Sequence, residues 1–364
     1  MTYPVSIIGG GIIGLLCAKE LVEAGYRVAL YERNSSIGRE SSWAGGGILS
    51  PLYPWRYPDA VTALARHSQR EYPQLCDALR QSRTDPEWTQ SGLLIINVND
   101  HELALNWAER HGIVLELVSS DRVKQLEPEL ALPVGSVAWM PDIAQVRNPR
   151  LLQALHQYLL EAGCEFHSEV EVTGFSVENR RLVGFETSQG EVVQTRQCIV
   201  AAGSWSGALL EMLNATRIDV APVRGQMLLF KGRPGLLSRI VLQENRYLIP
   251  RRDGRVLAGS TLEYVGFNKS VTPEAREDLT RAAVAMVPAL ADCEIETQWA
   301  GLRPGSPNGI PYIGSHPEVS GVMVCAGHFR NGFVLGPASA KLAVDLLLDR
   351  EPLLDPGPYA LNPC

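Results

Sequence analysis

The sequence predicts an α/β protein in which a lobe with a parallel sheet that binds a dinucleotide is joined to a second, α+β lobe built on an antiparallel sheet. Three observations lead to this prediction. A complete βαβ unit lies near residue 10, two later apolar runs end in glycine near residues 203 and 327, and residues 220–262 alternate between short β-like segments and turns. A length of 364 residues suits two lobes, at about 100–200 residues per domain.

The βαβ unit consists of two β-like runs with a helix between them. Residues 4–8 form an apolar run of strand character, and residues 12–24 carry apolar residues at helical spacing up to Gly25. A second β-like run over residues 27–31 ends at Glu32. Strand, helix and strand in this order are typical of a nucleotide-binding unit.

The turn between the first strand and the helix has the spacing G-x-G-x-x-G at Gly9, Gly11 and Gly14. Gly9 permits the tight turn, Gly11 lets the backbone approach a pyrophosphate, and Gly14 lets the helix pack closely on the strand. The helix N-terminus offers free N–H groups to the phosphates. Glu32, eighteen residues after Gly14, is placed to accept hydrogen bonds from a ribose.

Two further segments are expected to approach the same ligand. Three consecutive glycines, 45–47, lie between Trp43 and Ile48, which indicates backbone passing close to a flat ligand rather than a flexible surface loop. The apolar run 198–202 reads as a buried parallel strand and ends at Gly203. Ligands in such sheets bind outside the carboxyl ends of the strands, so a second approach to the dinucleotide is predicted there.

The remaining elements follow from periodicity and capping signals. Thr272 is a predicted N-cap, followed by a proline at the first helical position. Helices are predicted at 59–80, 102–111, 121–126, 150–162, 273–290 and 332–348, and strands at 92–96, in three segments over 170–202, and at 226–230, 239–242, 247–250, 256–259 and 322–327. The predicted nucleotide lobe is discontinuous and comprises residues 1–85, 140–218 and 303–364, and the second lobe comprises 86–139 and 219–302.

Composition excludes several classes of function. The net charge is −7, from 33 basic and 40 acidic residues with no basic stripe, which argues against a nucleic-acid partner. No apolar run is long enough to span a bilayer, and no leader is expected ahead of the first strand. The seven cysteines include no C-x-x-C pair, which fits a reducing cytoplasm and gives no support for a disulfide framework. Cys17, Cys198 and Cys325 are predicted to be small core residues.

No metal site is predicted, because the histidines lack the spacing of metal ligands. Six of them are expected at the surface: His67, His101, His111, His156, His167 and His316.

The nature of the dinucleotide is indicated by the strand ends near residues 203 and 327. The helix that follows residues 327–332 can direct its N-terminus at the pyrimidine end of a flavin, where reduction places negative charge. This favours FAD over NAD. A nicotinamide-linked dehydrogenase remains the alternative of a different class.

Six motifs then carry a specific resemblance. They are residues 8–14, 67–70, 247–251, 299–305, 311–314 and 327–332. On these motifs, and over essentially its whole length, the chain resembles the FAD-dependent D-amino acid oxidase superfamily, and within it most closely the glycine oxidase (ThiO) branch of thiamine biosynthesis. The resemblance implies a Rossmann-like FAD-binding lobe of the glutathione-reductase type. It also implies oxidation of the C–N bond of glycine, sarcosine or small D-amino acids, with transfer of electrons to O₂ and release of H₂O₂.

The resemblance also implies which residues hold the cofactor. The FAD would be non-covalent, because residues 305–314, where sarcosine oxidases carry their linking cysteine, contain none. The implied cofactor residues are Gly9, Gly11, Ile12, Ile13 and Gly14 at the pyrophosphate, Glu32 and Arg33 at the adenosine, Ser41, Ser42, Gly46, Gly47 and Ile48 along the flavin, Val172 at the adenine, and His328, Phe329, Arg330, Asn331, Gly332, Phe333 and Val334 at the pyrimidine edge. Gly203 and Trp205 are also expected to contact the cofactor, because they follow the strand at 198–202 where a second approach to the dinucleotide is predicted.

The substrate carboxylate is expected to be clamped by Arg303, with help from Tyr247 and Arg330. A guanidinium offers the two-pronged donor that a carboxylate needs, and the apolar surroundings of Arg303 indicate partial burial. Arg330 could instead pair with a carboxylate of the fold, and Tyr247 could be a packing residue. Hydride transfer from the α-carbon of a neutral amine needs no side-chain base, so no catalytic residue is assigned.

Two alternatives share this fold and cofactor. One is an FAD-dependent amino acid dehydrogenase that passes electrons to a quinone or protein acceptor, and the other is a non-catalytic flavin-binding protein. A homo-oligomer is expected in either case.

Overall fold

The computed structural model describes residues 4–81, 84–131, 135–213 and 218–361. In these residues the strands are β1 (Val5–Ile8), β2 (Val28–Glu32), β3 (Leu93–Ile96), β4 (Glu116–Val118), β5 (Val137–Met140), β6 (Glu165–Ser168), β7 (Val172–Glu178), β8 (Arg181–Thr187), β9 (Val192–Gln194), β10 (Cys198–Val200), β11 (Ala221–Lys231), β12 (Ile240–Gln243), β13 (Arg246–Pro250), β14 (Val256–Gly259), β15 (Glu294–Gly305), β16 (Tyr312–Ser315) and β17 (Val322–Ala326). The helices are α1 (Ile12–Glu23), α2 (Ser41–Ala44), α3 (Asp59–Arg80), α4 (His101–His111), α5 (Ser120–Leu126), α6 (Asn148–Glu161), α7 (Ser206–Glu211), α8 (Pro273–Met286) and α9 (Gly332–Leu347).

One sheet carries the dinucleotide turn. It has the strand order β16–β17–β10–β1–β2–β6 and is parallel except for the antiparallel pair of β16 and β17. Helices α1, α3, α6 and α9 enclose a core with one face of the sheet, to which Ile7 and Ile199 belong. The opposite face, which includes Ile8 and Val200, packs against β7, β8 and α7. Burial on both faces explains why these strands read as continuous apolar runs.

The second sheet has eight strands in the order β15–β11–β14–β13–β12–β3–β5–β4. Its pairs are antiparallel except for β12 with β3. Strands β11 and β15 form a long ribbon in which Val223 lies opposite Arg303. One face of the sheet packs against α8, and the other packs against α4. The predicted fold class is confirmed: a mainly parallel sheet with helices is combined with a mainly antiparallel second sheet.

Two predicted elements differ in the structure. The helix predicted over 273–290 ends at Met286, because Pro288 disfavours helical backbone at Val287 before it and begins a separate 3₁₀ turn. The last of the three β-like segments over 170–202 is divided into β9 and β10, which belong to different sheets. The apolar run 198–202 supplies the central strand β10 of the parallel sheet, and the residues before it supply β9, an edge strand of a small three-stranded sheet.

The prediction for His316 is wrong, and that for the cysteines is confirmed. His316 is 4% exposed, and its Nδ1 accepts hydrogen bonds from the backbone N–H groups of Glu318 and Val319 at 3.2 and 3.0 Å. It therefore holds the turn before β17 and is not a surface residue. Cys17, Cys198 and Cys325 are buried as predicted. No cluster of metal-ligating side chains occurs among the described residues.

The N-cap of α8 provides a first prediction. The Thr272 hydroxyl accepts a hydrogen bond from the Ala275 N–H at 3.2 Å. Thr272→Ala is expected to lower the free energy of unfolding by about 1 kcal/mol, because one helical N–H loses its partner. Urea denaturation of the FAD-loaded protein measures this change. Thr280→Ala, in the middle of the same helix, is the control and is expected to leave stability unchanged or slightly higher. An equal loss in both variants would contradict the capping role.

Candidate functional site

A large cavity lies at the carboxyl ends of β1, β2, β10 and β17 and extends to the second sheet. Its volume is about 1650 Å³, including the mouth. It brings together the predicted residues Gly9, Gly11, Ile12, Ile13, Glu32, Arg33, Ser41, Ser42, Gly46, Gly47, Ile48, Val172, Gly203, Trp205, Tyr247, Arg303, His328, Phe329, Arg330, Asn331, Gly332 and Phe333. Gly14 and Val334 are the two predicted residues that do not line it. The position of this cavity is the one that open parallel sheets use for ligands.

The turn after β1 shows why its glycines are needed. Gly9 has φ = 112°, and a Cβ there would lie 2.5 Å from the Ala201 carbonyl oxygen. A Cβ at Gly14 would collide with the carbonyl of Gly9, so Gly14 sets the contact between α1 and β1. A Cβ at Gly11 would meet the Ser42 hydroxyl alone, at 3.1 Å. Gly9 and Gly14 therefore serve the fold, and Gly11 leaves space for the ligand.

The end of β2 carries Glu32, whose carboxylate already accepts three hydrogen bonds. Its carboxylate accepts hydrogen bonds from the Gly10 N–H at 2.8 Å and from the N–H and side-chain amide of Asn34 at 2.9 and 2.7 Å. The side chain is 8% exposed. Beside it, the Arg33 guanidinium lies 3.6 Å from the ring centre of Trp205 and 3.2 Å from a carboxylate oxygen of Glu40. These contacts fix both side chains at one end of the cavity.

The glycine segment 45–47 is held against the second sheet. A Cβ at Gly46 would lie 2.6 Å from Ile249, and Gly47 has φ = 75°. Arg251 donates to the carbonyl oxygens of Gly46 and Val146 at 2.8 and 2.9 Å and to Gln145 at 2.8 Å. Burial, and then the positive charge of Arg147, lower the pKa of Arg251 to about 10. The segment thus passes close to the cavity because the half-buried Arg251 holds it there by hydrogen bonds.

The segment that enters α9 closes another wall. The Phe329 N–H donates to the Pro304 carbonyl at 2.8 Å, and Phe329 has φ = 46°. His328 and Asn331 are 2% and 3% exposed. The His328 Nε2 and the Asn331 Nδ2 have no hydrogen-bond partner among the described residues. Buried polar atoms normally have partners, so these two atoms fit a ligand with hydrogen-bonding edges.

The predicted substrate residues meet where β15 faces the cavity. Arg303 donates to the Thr261 carbonyl at 3.2 Å and to the Ser260 hydroxyl at 2.7 Å. Burial lowers the pKa of Arg303, while the nearby Tyr247 raises it and Arg330 lowers it further. The Tyr247 hydroxyl also lies 3.4 Å from the Met227 sulfur.

Neither Arg303 nor Arg330 forms a salt bridge within the ranges that the structure describes. Burial of an uncompensated guanidinium is costly, and a carboxylate ligand would offset that cost. This end of the cavity is therefore suited to an organic anion.

Three residues in or beside the site are not assigned from the sequence. Arg251 was part of a motif without an assigned role, and Asn148, whose amide donates to the Ser42 carbonyl at 3.0 Å, was not predicted. Gly225 faces the Arg303 guanidinium so closely that a Cβ would collide with it. Gly225 could have been identified as a neighbour of Arg303 only if the register of β11 with β15 had been known, because the register decides which residues of the two strands face each other.

The residues of the cavity fit FAD. The turn at residues 9–14, the glycine segment and the orphaned polar atoms of His328 and Asn331 offer a pyrophosphate site, room for a flat ring and hydrogen-bonding atoms at the ring's edge. The N-terminus of α9, a helix of 16 residues, reaches the same wall. Its dipole favours negative charge there.

Comparison with known proteins agrees with this reading of the site. The family described as DAO, FAD dependent oxidoreductase, matches residues 4–346. The chain is 48% identical over 362 residues to a glycine oxidase from Pseudomonas aeruginosa, with 99% of both chains covered. It is 30% identical to a bifunctional ThiO/ThiG protein from Synechocystis sp., and the match covers the whole of this chain and 54% of that protein.

A solved structure is also similar over nearly its full length. The glycine oxidase from Bacillus cereus superposes with a TM-score of 0.89 at 33% identity, covering 97% of this chain and 99% of that one. In the part of the chain that the structure describes, none of the helices is both long and apolar enough to cross a membrane. The family match extends over almost all of the residues that form the two sheets and the cavity between them, and the chain therefore belongs to the DAO family of FAD-dependent oxidoreductases.

Proposed function

We propose that this protein oxidises glycine, and also sarcosine and small D-amino acids, in an FAD-dependent reaction that consumes O₂ and releases H₂O₂. The observation that carries the proposal is the half-buried Arg303, which has no acidic partner among the described residues and lies in the same cavity as the dinucleotide turn. The similarity to proteins named glycine oxidase, at up to 48% identity over the full chain, supports the same substrate class.

In this proposal Arg303 binds the substrate carboxylate and holds the α-carbon in place. Its guanidinium is already oriented by Ser260 and Thr261, so little side-chain freedom is lost when the substrate binds. Tyr247 contributes a hydroxyl beside the guanidinium, and Arg330 adds a second positive charge. This group of a guanidinium, a hydroxyl and a second cation favours a substrate that carries a carboxylate.

The two arginines also favour the reactive form of the amine. A positive charge near an ammonium group lowers the pKa of that ammonium, because the charged form is destabilised. The described residues that line this end of the cavity include no Asp or Glu to stabilise an ammonium ion. A bound substrate would therefore lose its amine proton readily, and no side chain is required as a base.

For the cofactor, we propose that the residues assigned from the sequence hold a non-covalent FAD. The backbone around Ile12 and Ile13 would bind the pyrophosphate, at a point where the Ile12 N–H donates to the Ser42 hydroxyl at 2.9 Å, and Glu32 would bind the ribose. Ser41, Ser42 and residues 46–48, together with His328 to Phe333, would enclose the flavin; Val334, the last residue of the assigned segment, does not line the cavity. The bound FAD supplies the acceptor for the hydride of the substrate and the chemistry of reoxidation by O₂.

The cellular setting is proposed from the relatives. The fusion of a ThiO-like part to ThiG in Synechocystis suggests that the imine product feeds thiazole synthesis for thiamine. We further propose that the FAD-binding lobe comprises residues 1–85, 140–218 and 303–364, that 86–139 and 219–302 form the substrate lobe, and that the protein works in the cytoplasm as a homo-oligomer.

Anaerobic mixing of the FAD-loaded protein with glycine tests the proposal. The visible absorption of the flavin is expected to bleach with glycine, and to return rapidly with H₂O₂ when air is admitted. Acetate, which has the carboxylate but no amine, is the control and should leave the flavin oxidised. Bleaching followed by slow recovery in air would indicate a dehydrogenase with another acceptor, and no bleaching by glycine, sarcosine or D-alanine would overturn the proposal.

A further inference from the structure

A second cavity lies between α3, α4 and β5, next to the one described above. Its volume is about 740 Å³, including its mouth. Ser50 lines both cavities, so the segment around this residue is the wall between them. None of the residues assigned to FAD or to the substrate lines the second cavity.

Two arginines on one face of α3 reach this second cavity. Arg66 and Arg70 are four residues apart, and like charges at this spacing repel each other. Neither forms a hydrogen bond or salt bridge with any residue that the structure describes. Burial, and then the positive charge of Arg70, lower the pKa of Arg66, whereas Asp142 raises it. Asp142 is the one carboxylate among the described lining residues, so the three groups together carry a net charge of about +1.

Two residues that line the same space carry buried donors without partners. Thr62 and Trp107 are 3% and 4% exposed, and their hydroxyl and indole N–H groups have no hydrogen-bond partner among the described residues. An unsatisfied buried polar group costs about 1–3 kcal/mol. A ligand with acceptor atoms would remove this cost. The nearby Gln69 is already engaged, because its amide donates to the Leu49 carbonyl at 2.8 Å.

The rest of the wall is apolar. Ala65, Ile113, Met140 and Ile143 line the cavity together with two prolines. Such a wall favours a ligand with a hydrocarbon body, and it offers no polar contacts to a fully hydrated inorganic ion. A net charge of about +1 matches a singly charged ligand better than a doubly charged phosphate ester.

We propose that this second cavity is a binding site for a small organic monocarboxylate, whose carboxylate lies between Arg66 and Arg70 and whose apolar body lies against Met140 and Ile143. The Thr62 hydroxyl and the Trp107 indole N–H donate to the ligand. The site is separate from the Arg303 clamp. It does not depend on the reaction proposed for the first cavity.

The indole of Trp107 allows a test that does not rely on turnover. The FAD-loaded protein is labelled with 5-fluorotryptophan, which gives signals from its seven tryptophans in ¹⁹F spectra, and Trp107→Phe identifies the signal of interest. Sodium butanoate is expected to move the Trp107 signal along a saturable curve. Arg66→Gln is expected to weaken that curve at least tenfold, because the carboxylate loses a charged donor. Arg110→Gln, on the exposed side of α4, is the matched control and should bind as the unmodified protein does.

Three results would overturn the proposal. The first is a Trp107 signal that does not shift when butanoate is added. Shifts of the Trp205 or Trp299 signals would report binding in or near the first cavity and would not support the proposal. The second is an unchanged affinity in Arg66→Gln. The third is a shift of the Trp107 signal that inorganic phosphate causes at a lower concentration than butanoate does. This result would assign the site to phosphate. Failure of glycine to bleach the flavin would leave all three readings unaffected.

Discussion

Arg303→Leu is expected to raise the KM for glycine by a factor of about 10²–10³ while the visible spectrum of the bound flavin stays nearly unchanged. Loss of a buried, charged, two-pronged contact with the substrate costs about 3–4 kcal/mol, and each 1.4 kcal/mol corresponds to a factor of ten. The hydrogen-bond partners of the Arg303 side chain are Ser260 and Thr261, which lie in the second sheet's lobe, so FAD binding should survive the change. Steady-state oxygen consumption at increasing glycine concentration measures KM, and absorption of the purified protein measures FAD content.

The matched control for this variant is Arg276→Leu. Arg276 is an exposed residue of α8 and does not line the cavity. Its replacement should leave KM and FAD content as they are. An Arg303→Leu protein that turns over glycine with an unchanged KM would show that Arg303 is not the carboxylate clamp, and a colourless one would show that Arg303 supports the cofactor.

Gly11→Leu is expected to give a folded protein that purifies without FAD. The backbone at this glycine is open towards the cavity, and a Cβ there meets the Ser42 hydroxyl alone. A leucine side chain would therefore occupy the space proposed for the pyrophosphate rather than disturb the core. The measurement is the ratio of flavin to protein absorption after purification, with circular dichroism to confirm that the protein is folded.

Gly174→Leu tests whether any large side chain at a glycine would have this effect. Gly174 lies in β7, away from the cavity lining, and its Cβ would have 3.4 Å to the nearest atom, on Glu186. This variant should keep its FAD. A Gly11→Leu protein with a full complement of FAD would contradict the assignment of the turn to the pyrophosphate.

The nucleotide-binding part of the fold could be predicted because its signals are local. The strand before Gly9, the helix after it and the acid at the end of β2 all lie within the first 32 residues. Their geometry follows from short-range rules on glycine, periodicity and helix termini. The end of α8 also had a local signal, since Pro288 excludes a helix that continues to residue 290.

The substrate side was harder, because its contacts join distant segments. Arg303 could be recognised as a guanidinium in an apolar run, but its partners Ser260 and Thr261 are more than forty residues away and depend on the register of β11 with β15. The parallel pairing of β12 with β3 links residues about 150 positions apart, and the sequence of neither strand predicts this pairing. His316 lacked any clue to its burial because its partners are backbone N–H groups.

The order of strands in the parallel sheet has a consequence for biosynthesis. β1 pairs with β10, and β10 pairs with β17, so neighbours in the sheet come from widely separated parts of the chain. At about 5–20 residues per second, a ribosome needs roughly 15–60 s to proceed from β1 to β17. β1 can pair early with β2, but until β10 and then β17 are synthesised the sheet has an unpaired strand edge, which is prone to aggregation. Residues 325–333 are the last cavity-lining residues to be synthesised, so the complete cofactor site exists only after they have emerged.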